Sequence, residues 1–493
     1  MSAGSQAVHI AQGAGGRTQS LPACPEALAA LSARSVALRD PWSGAEDGAL
    51  LALSGVQLWA RAHALRSAQP AWAALGAARR GEALRALADS LEEERGALIS
   101  ALTRDTGRII ESEIELAGVL SALRRWADKA PALLAAAEEP RPSEVTPFEL
   151  SGQLVPYPLV GVISPWNFPL LLTLIDAIPA LAAGCAVLLK PSEVTPRAAE
   201  QLIALLQRHR TLAPVVGLAL GDGAVGAALI PLVDTLCFTG SVETGERVAR
   251  AAAEAFIPAH LELGGKDPAL VLPGAELPAA ASAIARAGMI NAGQSCLSIE
   301  RVIVHETIAE PFLELLQREL KQLQPNHEQI SEGQLGPLIW APQAVKLRQQ
   351  IDDALERGAT LRCGGELIEA GGLWCQATLL DQVPADAAVI REESFGPLLA
   401  VQRARDVEEA IRLANDSDFG LSAAVFGAPE EARSVARRLA AGAVSINDAG
   451  LTAFVHDGEK QSFRRSGLGG SRMGAASLQR FYRKKLLIER SPR

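Results

Sequence analysis

The stretch LVGVISPWNFPLLLTLIDAIPALAAGCAVLLK, residues 159–190, decides the fold, because it carries a single charge, Asp176, before its closing Lys190. It is long and apolar enough to span a bilayer. Yet Pro165, Pro169 and Pro179 would break a spanning helix repeatedly. A buried strand, a loop, a core helix and then a second strand at AVLLK (186–190) account for it better. A membrane span is therefore not expected.

Outward from this stretch the same alternation continues. VVGLAL (215–220) and DTLCFTG (234–240) read as short strands between Ala/Leu-rich helices, the pattern of a parallel α/β sheet. A second series runs from about 267 to 457, with RVIVHE (301–306), LLAVQRA (398–404), SAAVFG (422–427) and GAVSIN (442–447). Residues 45–137 read as helical, with Ala and Leu at three- and four-residue spacing across 71–108. The Pro-rich, β-branched segment 138–163 predicts an extended hairpin leaving the body. LQRFYRKKLLIER (478–490) predicts a strand with basic flanks. Such outlying strands commonly build oligomer contacts. The first 20 residues lack periodicity and a signal-peptide pattern, and read as a floppy tail.

Composition sets the limits. A chain of 493 residues is too long for one core and predicts two or three domains. With 48% hydrophobic and 21% charged residues it is a globular sequence, and a net charge of −9 argues against a nucleic-acid partner. Cysteines 24, 185, 237, 296, 363 and 375 form no C-x-x-C pair, which fits reduced thiols in a cytosolic compartment. The seven dispersed histidines show no ligand spacing, so no metal site is expected.

Several motifs carry chemistry. NAGQSCLSIER (291–301) sets Cys296 among small residues, with Gly293 and Ser295 leaving room at the sulfur. LELGGKDP (261–268) puts Glu262 between leucines, where desolvation would suit a general base; a surface salt-bridge role stays open. In GVISPWNFP (161–169) the amide of Asn167 could serve an oxyanion or simply a turn. GDGAVG (221–226) matches a dinucleotide loop only as a short pattern in a glycine-rich chain. CFTGSVETGERVAR (237–250) is the better pyrophosphate candidate, since a strand ends at Thr239-Gly240-Ser241 and a helix begins. In LLKPSEVTP (188–196), Lys190 and Glu193 could chelate ribose hydroxyls or be a solvated strand end.

Together these motifs resemble the aldehyde dehydrogenase superfamily, NAD(P)-dependent and of the hydrolytic branch, from about Leu65 to the C-terminus. SPWNFP, KPSE, FTGS, LELGGK, GQSC with Arg301 beyond it, EESFGP (392–397) and NDSDFGLSAAVF (415–426) occur in the family's order. The resemblance implies an α/β fold of two Rossmann-like parallel-sheet domains with a β-hairpin oligomerisation arm. Residues 1–40 would be a flexible tail, 41–140 and 157–264 the NAD-binding domain, 141–156 and 478–493 the arm, and 265–477 the catalytic domain.

It also implies roles. Cys296 would be the nucleophile, Glu262 the base, and Asn167 with the Cys296 N–H the oxyanion hole. Lys190 and Glu193 would hold the adenosine ribose of NAD, and Ile163, Pro165, Trp166 and Ser192 would also bind the cofactor. Gly223, Gly240, Ser241, Leu263 and Gly264 would lie along the cofactor, and Glu393 and Phe395 would position its nicotinamide ribose and ring. Phe168, Leu171, Leu172, Ile175, Ser295 and Phe454 would line the aldehyde's entrance. The product would be a carboxylic acid, since the family's CoA-acylating branch generally lacks the glutamate.

Two departures stand out. EKQSFRRSG (459–467) replaces the family's Pro-Phe-Gly-Gly, and Gly470, Ser471 and Arg472 replace Gly-Arg-Glu, so deacylation would rest on Glu262 and water alone. Val242 stands where Thr is common. The apolar wall, without paired arginines, predicts a medium-sized aliphatic or aromatic aldehyde, with a semialdehyde-specific enzyme or a non-catalytic nucleotide-binding oligomer as alternatives. Glu193 would repel a 2′-phosphate, which predicts NAD over NADP. A cytoplasmic homodimer or homotetramer is the expected state.

Overall fold

Proline and glycine divide residues 159–190 in the computed structural model, which describes residues 24–136 and 138–490. The strand Leu159–Ile163 ends before Pro165, short helices Pro169–Leu174 and Ala177–Ala183 follow, and Gly184 turns the chain into the strand Ala186–Lys190. No helix among the described residues is long and apolar enough to cross a membrane.

These two strands are neighbours in a six-stranded sheet, the first of them at its centre. Val216–Leu218, Ala186–Lys190, Leu159–Ile163, Thr235–Thr239 and Ala259–Glu262 run parallel, and Gly467–Leu468 closes the edge antiparallel. The strands are buried on both faces, as parallel strands covered by helices must be. The long helix Ile110–Ala136 buries Leu116, Val119, Leu120, Leu123 and Trp126, a stripe at three- and four-residue spacing. Each such aliphatic side chain contributes about 1.5–3 kcal/mol relative to exposure.

A seven-stranded sheet forms the second body. Its order is Thr360–Cys363, Thr378–Asp381, Leu398–Ala404, Ile299–His305, Asp267–Val271, Ser422–Phe426 and Ala443–Ile446, with only Thr360–Cys363 antiparallel. The expected arm is a three-stranded sheet of Arg141–Pro142, Phe148–Pro156 and Tyr482–Arg490. Leu478 lies before it, in the short helix Ala476–Gln479.

Two expectations fail at the N-terminal side. Residues 46–52 are not helical: Glu46–Ala52 is a strand paired antiparallel with Arg34–Arg39. Leu50 and Ala52 face inward while Leu51 is 66% exposed, so an Ala/Leu-rich run alternates at a period of two. The tail expected over 1–40 is also partly built, as the helix Glu26–Ala29 and the strand Arg34–Arg39. Leu28 and Leu38 are buried and Arg34 pairs with Asp222, which is why this part is ordered. The first 23 residues and 491–493, within the expected tail and arm, lie outside the described residues.

Candidate active site

The thiol sits on a contorted turn. After the helix Leu277–Met289, Asn291 (φ 56°), Ala292 (φ 50°) and Gly293 (φ 71°) are left-handed in succession. A conformation this costly persists only where its surroundings over-determine it. Asn291 donates its N–H to Glu111 Oε1 at 3.1 Å, and its Nδ2 to the carbonyls of Asn167 and Gln294 at 3.0 and 2.9 Å. Gln294 Nε2 donates to Asn291 and Pro337 carbonyls at 3.0 Å, while its Oε1 accepts from the Ile339 N–H at 2.9 Å. A Cβ on Gly293 would overlap the Gly396 carbonyl. The turn is fixed, and Cys296 is half-buried upon it.

Asn167 is locked to the same turn. Its Nδ2 donates to the Gln294 carbonyl at 3.0 Å, and the amide's second proton is uncommitted among the described residues. Its own carbonyl accepts from Asn291 and from Arg108, whose guanidinium lies 4.7 Å over the Phe168 ring. The Cys296 N–H likewise has no acceptor among the described residues.

Glu262 ends the strand that leads to Gly264 and Gly265. A Cβ at Gly265 would stand 2.8 Å from the Cys296 carbonyl, so the glycine lets the chain that follows Glu262 approach the thiol's turn. The apolar setting expected for Glu262 is corrected here. Leu261 and Leu263 are buried, but alternation along the strand turns Glu262 away from them. Its Oε2 accepts instead from Ser462 Oγ at 2.9 Å and from Lys460 Nζ at 3.4 Å. The carboxylate meets a cation and a hydroxyl rather than leucines, and it does not stand alone.

Burial pushes the Cys296 thiol up to about 12; Lys460 is the largest opposing influence, ahead of Arg472, while Glu393 and Glu262 add to the rise.

The EESFGP loop is tied to both bodies. Lys266 Nζ donates to Glu300 Oε2 at 2.5 Å and to Ser394 Oγ at 2.9 Å. Glu300 in turn accepts from the N–H groups of Ser394 and Phe395 at 2.7 and 2.8 Å. Phe395 is left-handed at φ 54° and meets Trp166 edge-on, with ring centroids 5.3 Å apart. Glu393 accepts from the Gly265 N–H at 3.1 Å, and burial, then Glu300, pushes its carboxyl up to about 7. Arg301 donates to the carbonyls of Lys266, Leu413 and Ala414, each at 2.9 Å, so it buckles the core rather than facing the thiol.

The remaining candidates for a cofactor gather beyond the carboxyl ends of the six-stranded sheet, where open α/β sheets bind ligands. Ile163 and Lys190 close two neighbouring strands, and Lys190 Nζ reaches Glu193 Oε2 at 2.9 Å. Ser192 is buried beside them, and Pro165 and Trp166 are half-buried. Gly240 leads to Ser241, whose Oγ caps the helix Val242–Glu254 by accepting from the Thr244 N–H at 3.3 Å. Gly223 has open space where a side chain would stand, at the start of a helix capped by Asp222. A Cβ at Gly264 would meet Glu393 Oε1 at 2.7 Å, so Gly264 and Glu393 are in contact, while Leu263 packs against Gly245. Open space at Gly223, a helix N-terminus and an ion pair able to bind hydroxyls suit a dinucleotide.

Phe168, Leu171, Ile175 and Ser295 are half-buried; Leu171 and Ile175 share one helical face, and Phe168 immediately precedes that helix. Leu172 is turned into the core, and Phe454 is 61% exposed. Asp176, the lone acid of the opening stretch, is held by Arg472 at 2.8 Å and Arg480 at 2.7 Å. Sequence reasoning assigned no role to Lys460, Ser462, Glu300 or Lys266. The signal for the first two was the unexplained departure at 459–467. Among the described residues no group of three or more His, Cys, Asp or Glu could hold a metal ion.

Known proteins are similar to this chain in sequence and fold. The aldehyde dehydrogenase family model matches residues 31–487. The Escherichia coli K12 succinate-semialdehyde dehydrogenase [NADP(+)] GabD is 33% identical over 459 residues, covering 91% of this chain and 94% of its own. The Anabaena variabilis protein PutA, named provisionally as an aldehyde dehydrogenase, superposes with a TM-score of 0.91 at 46% identity, covering 93% and 98% of the two chains. A Staphylococcus aureus betaine aldehyde dehydrogenase solved with NAD+ gives a TM-score of 0.87 at 28% identity, covering 93% and 95%. With a match across nearly its whole length, this chain belongs to the aldehyde dehydrogenase family.

Proposed function

We propose that the chain oxidises an aldehyde to a carboxylic acid, with Cys296 as nucleophile, Asn167 as oxyanion donor and Glu262 as base. The convergence of these three residues through Gln294 and Gly265 carries the reading. The Cys296 thiolate attacks the aldehyde carbon, since the thiolate and not the thiol is the nucleophile. The oxyanion that forms takes hydrogen bonds from Asn167 Nδ2 and the Cys296 N–H. A bound nicotinamide dinucleotide supplies the acceptor for the hydride that leaves this carbon. Glu262 then takes a proton from water, the hydroxide adds to the thioester carbonyl, and Cys296 departs as thiolate with the acid released.

Lys190, Ser192 and Glu193 would hold the adenosine ribose, Gly240 and Ser241 the pyrophosphate, and Glu393 and Phe395 the nicotinamide ribose. Residues 41–140 and 157–264, which supply all of the six-stranded sheet but its edge strand Gly467–Leu468, are then the cofactor domain, and the rest of 265–477 the catalytic one. NAD is preferred on this reading because Glu193 disfavours a 2′-phosphate, although GabD is named for NADP(+). The half-buried apolar side chains of Phe168, Leu171 and Ile175 suit a medium-sized aliphatic or aromatic aldehyde. A semialdehyde is the second reading, favoured by the likeness to GabD. Six cysteines without a disulfide suit a reducing cytosol, and the three-stranded arm suits a homo-oligomer.

The test is aldehyde-dependent reduction of NAD and NADP across an aldehyde panel. Cys296→Ala should abolish it, and Glu262→Gln should keep the first turnover while slowing later ones about 10²–10⁴-fold. Undiminished turnover in Cys296→Ala would sink the mechanism. A higher kcat/KM for succinate semialdehyde than for neutral aldehydes would favour the second reading.

A further inference from the structure

The departure at residues 459–474 is a built feature. Lys460 and Glu262 side chains are only 10% and 13% exposed. Lys460 Nζ lies 3.4 Å from Glu262 Oε2 and 3.3 Å from Ser462 Oγ, and Ser462 Oγ donates to the same carboxylate oxygen at 2.9 Å. The backbone is braced as well: the Lys460 N–H donates to Ser471 Oγ at 3.1 Å, and Ser471 is 3% exposed. Just beyond, Gly467 pairs with Glu262 across the sheet edge, so the segment is registered on the strand that carries the base.

The charges nearby have a defined balance. Asp176 faces two guanidiniums, Arg472 and Arg480, while Lys460 faces Glu262. This group carries one positive charge in excess, which a thiolate at Cys296 would neutralise. Glu393 is the remaining acid acting on the sulfur, and it is buried enough to hold a proton up to about 7.

We propose that Lys460 is a positioning residue whose ammonium, beside Ser462 and on a backbone braced by Ser471, holds the Glu262 carboxylate beside the thiol and supplies the countercharge for the Cys296 thiolate. The inference rests on the thiolate chemistry proposed above, and it assigns to the altered segment a task that an apolar Pro-Phe-Gly-Gly could not perform. Burial opposes ionisation of Cys296, and a nearby cation favours it. Lysine and glutamate also keep each other ordered in a site where either alone would be a costly buried charge.

The experiment is iodoacetamide alkylation of Cys296 in the full chain without aldehyde, followed at that residue by peptide mass spectrometry across pH. Lys460→Met should be alkylated about tenfold more slowly than the parent at each pH of the rising limb between about 6 and 9, which displaces that limb to higher pH. Lys460→Arg, which keeps the charge, should stay within about twofold of the parent, and Ser462→Ala should fall between. If Lys460→Met does not fold, Lys460→Gln carries the same comparison. A pH profile unchanged on loss of the charge overturns the proposal. Aldehyde oxidation by the parent chain reads the underlying function separately. A shifted profile in an inactive parent would keep Lys460's influence on the thiol and remove the dehydrogenase reading, whereas an unshifted profile in an active parent would do the reverse.

Discussion

Lys266 and Glu300 meet at 2.5 Å with both side chains closed off from solvent, and Glu300 spends its remaining acceptors on the Ser394 and Phe395 N–H groups. One ion pair thus holds the loop bearing Glu393 against the strand that follows Cys296.

Removing one partner should be expensive. Lys266→Met or Glu300→Gln strips a buried charge of its counterpart, and each should cost about 3–5 kcal/mol in denaturant unfolding. The double variant should lose less than the two single losses added together. A single variant within about 0.5 kcal/mol of the parent would contradict this account.

Gly293→Ala tests the turn. The residue is left-handed at φ 71°, and a methyl would run into the Gly396 carbonyl. The expected result is a loss of about 2–4 kcal/mol in stability together with loss of aldehyde turnover. Retained turnover in a well-folded variant would show that the turn has slack.

Asn167→Ala should lower kcat about 10²–10³-fold while leaving dinucleotide affinity within about twofold, because the amide acts on charge that develops during reaction. Fluorescence titration of the dinucleotide beside steady-state kinetics separates the two. Weakened cofactor binding with kcat intact would reassign the residue.

Glu115 makes stability depend on pH. Its carboxyl is buried, which raises it to about 7 against the opposing effects of Arg108 and the Leu171 and Leu170 N–H groups. The folded chain therefore binds this proton more tightly than the unfolded one. Its contribution is full below the ordinary carboxyl value near 4.5 and is lost as pH rises through about 7. Glu115→Gln can keep accepting from both N–H groups and should remove about 1–3 kcal/mol of the decline between about pH 5 and pH 8. Parallel declines for variant and parent would rule the residue out.

Much of this was legible because local pattern and tertiary setting agree. The prolines and Gly184 around residues 159–190 punctuate strand and helix whatever else the chain does. The family's motifs lie on the thiol turn and the Glu262 strand because backbone contacts at Gly265 and Gly293 demand those residue types. Legibility failed where the partner is distant. Glu46–Ala52 reads as helix by composition, and only pairing with Arg34–Arg39 makes it a strand. The apolar flanks of Glu262 hid a lysine nearly two hundred positions later, visible beforehand only as a motif that had gone missing. Asp176 looked like a stray charge until Arg472 and Arg480 arrived from the far end of the chain.

The short edge strand Gly467–Leu468 also has a meaning for biosynthesis. Translation delivers the thiol and the carboxylate well before Lys460, Ser462, Arg472 and Arg480, and the N-terminal part of a chain folds first. The Cys296 thiol is therefore made without Lys460 and Arg472 nearby and gains them only when the last segment docks. On the proposed mechanism, assembly of the finished protein would arm the nucleophile.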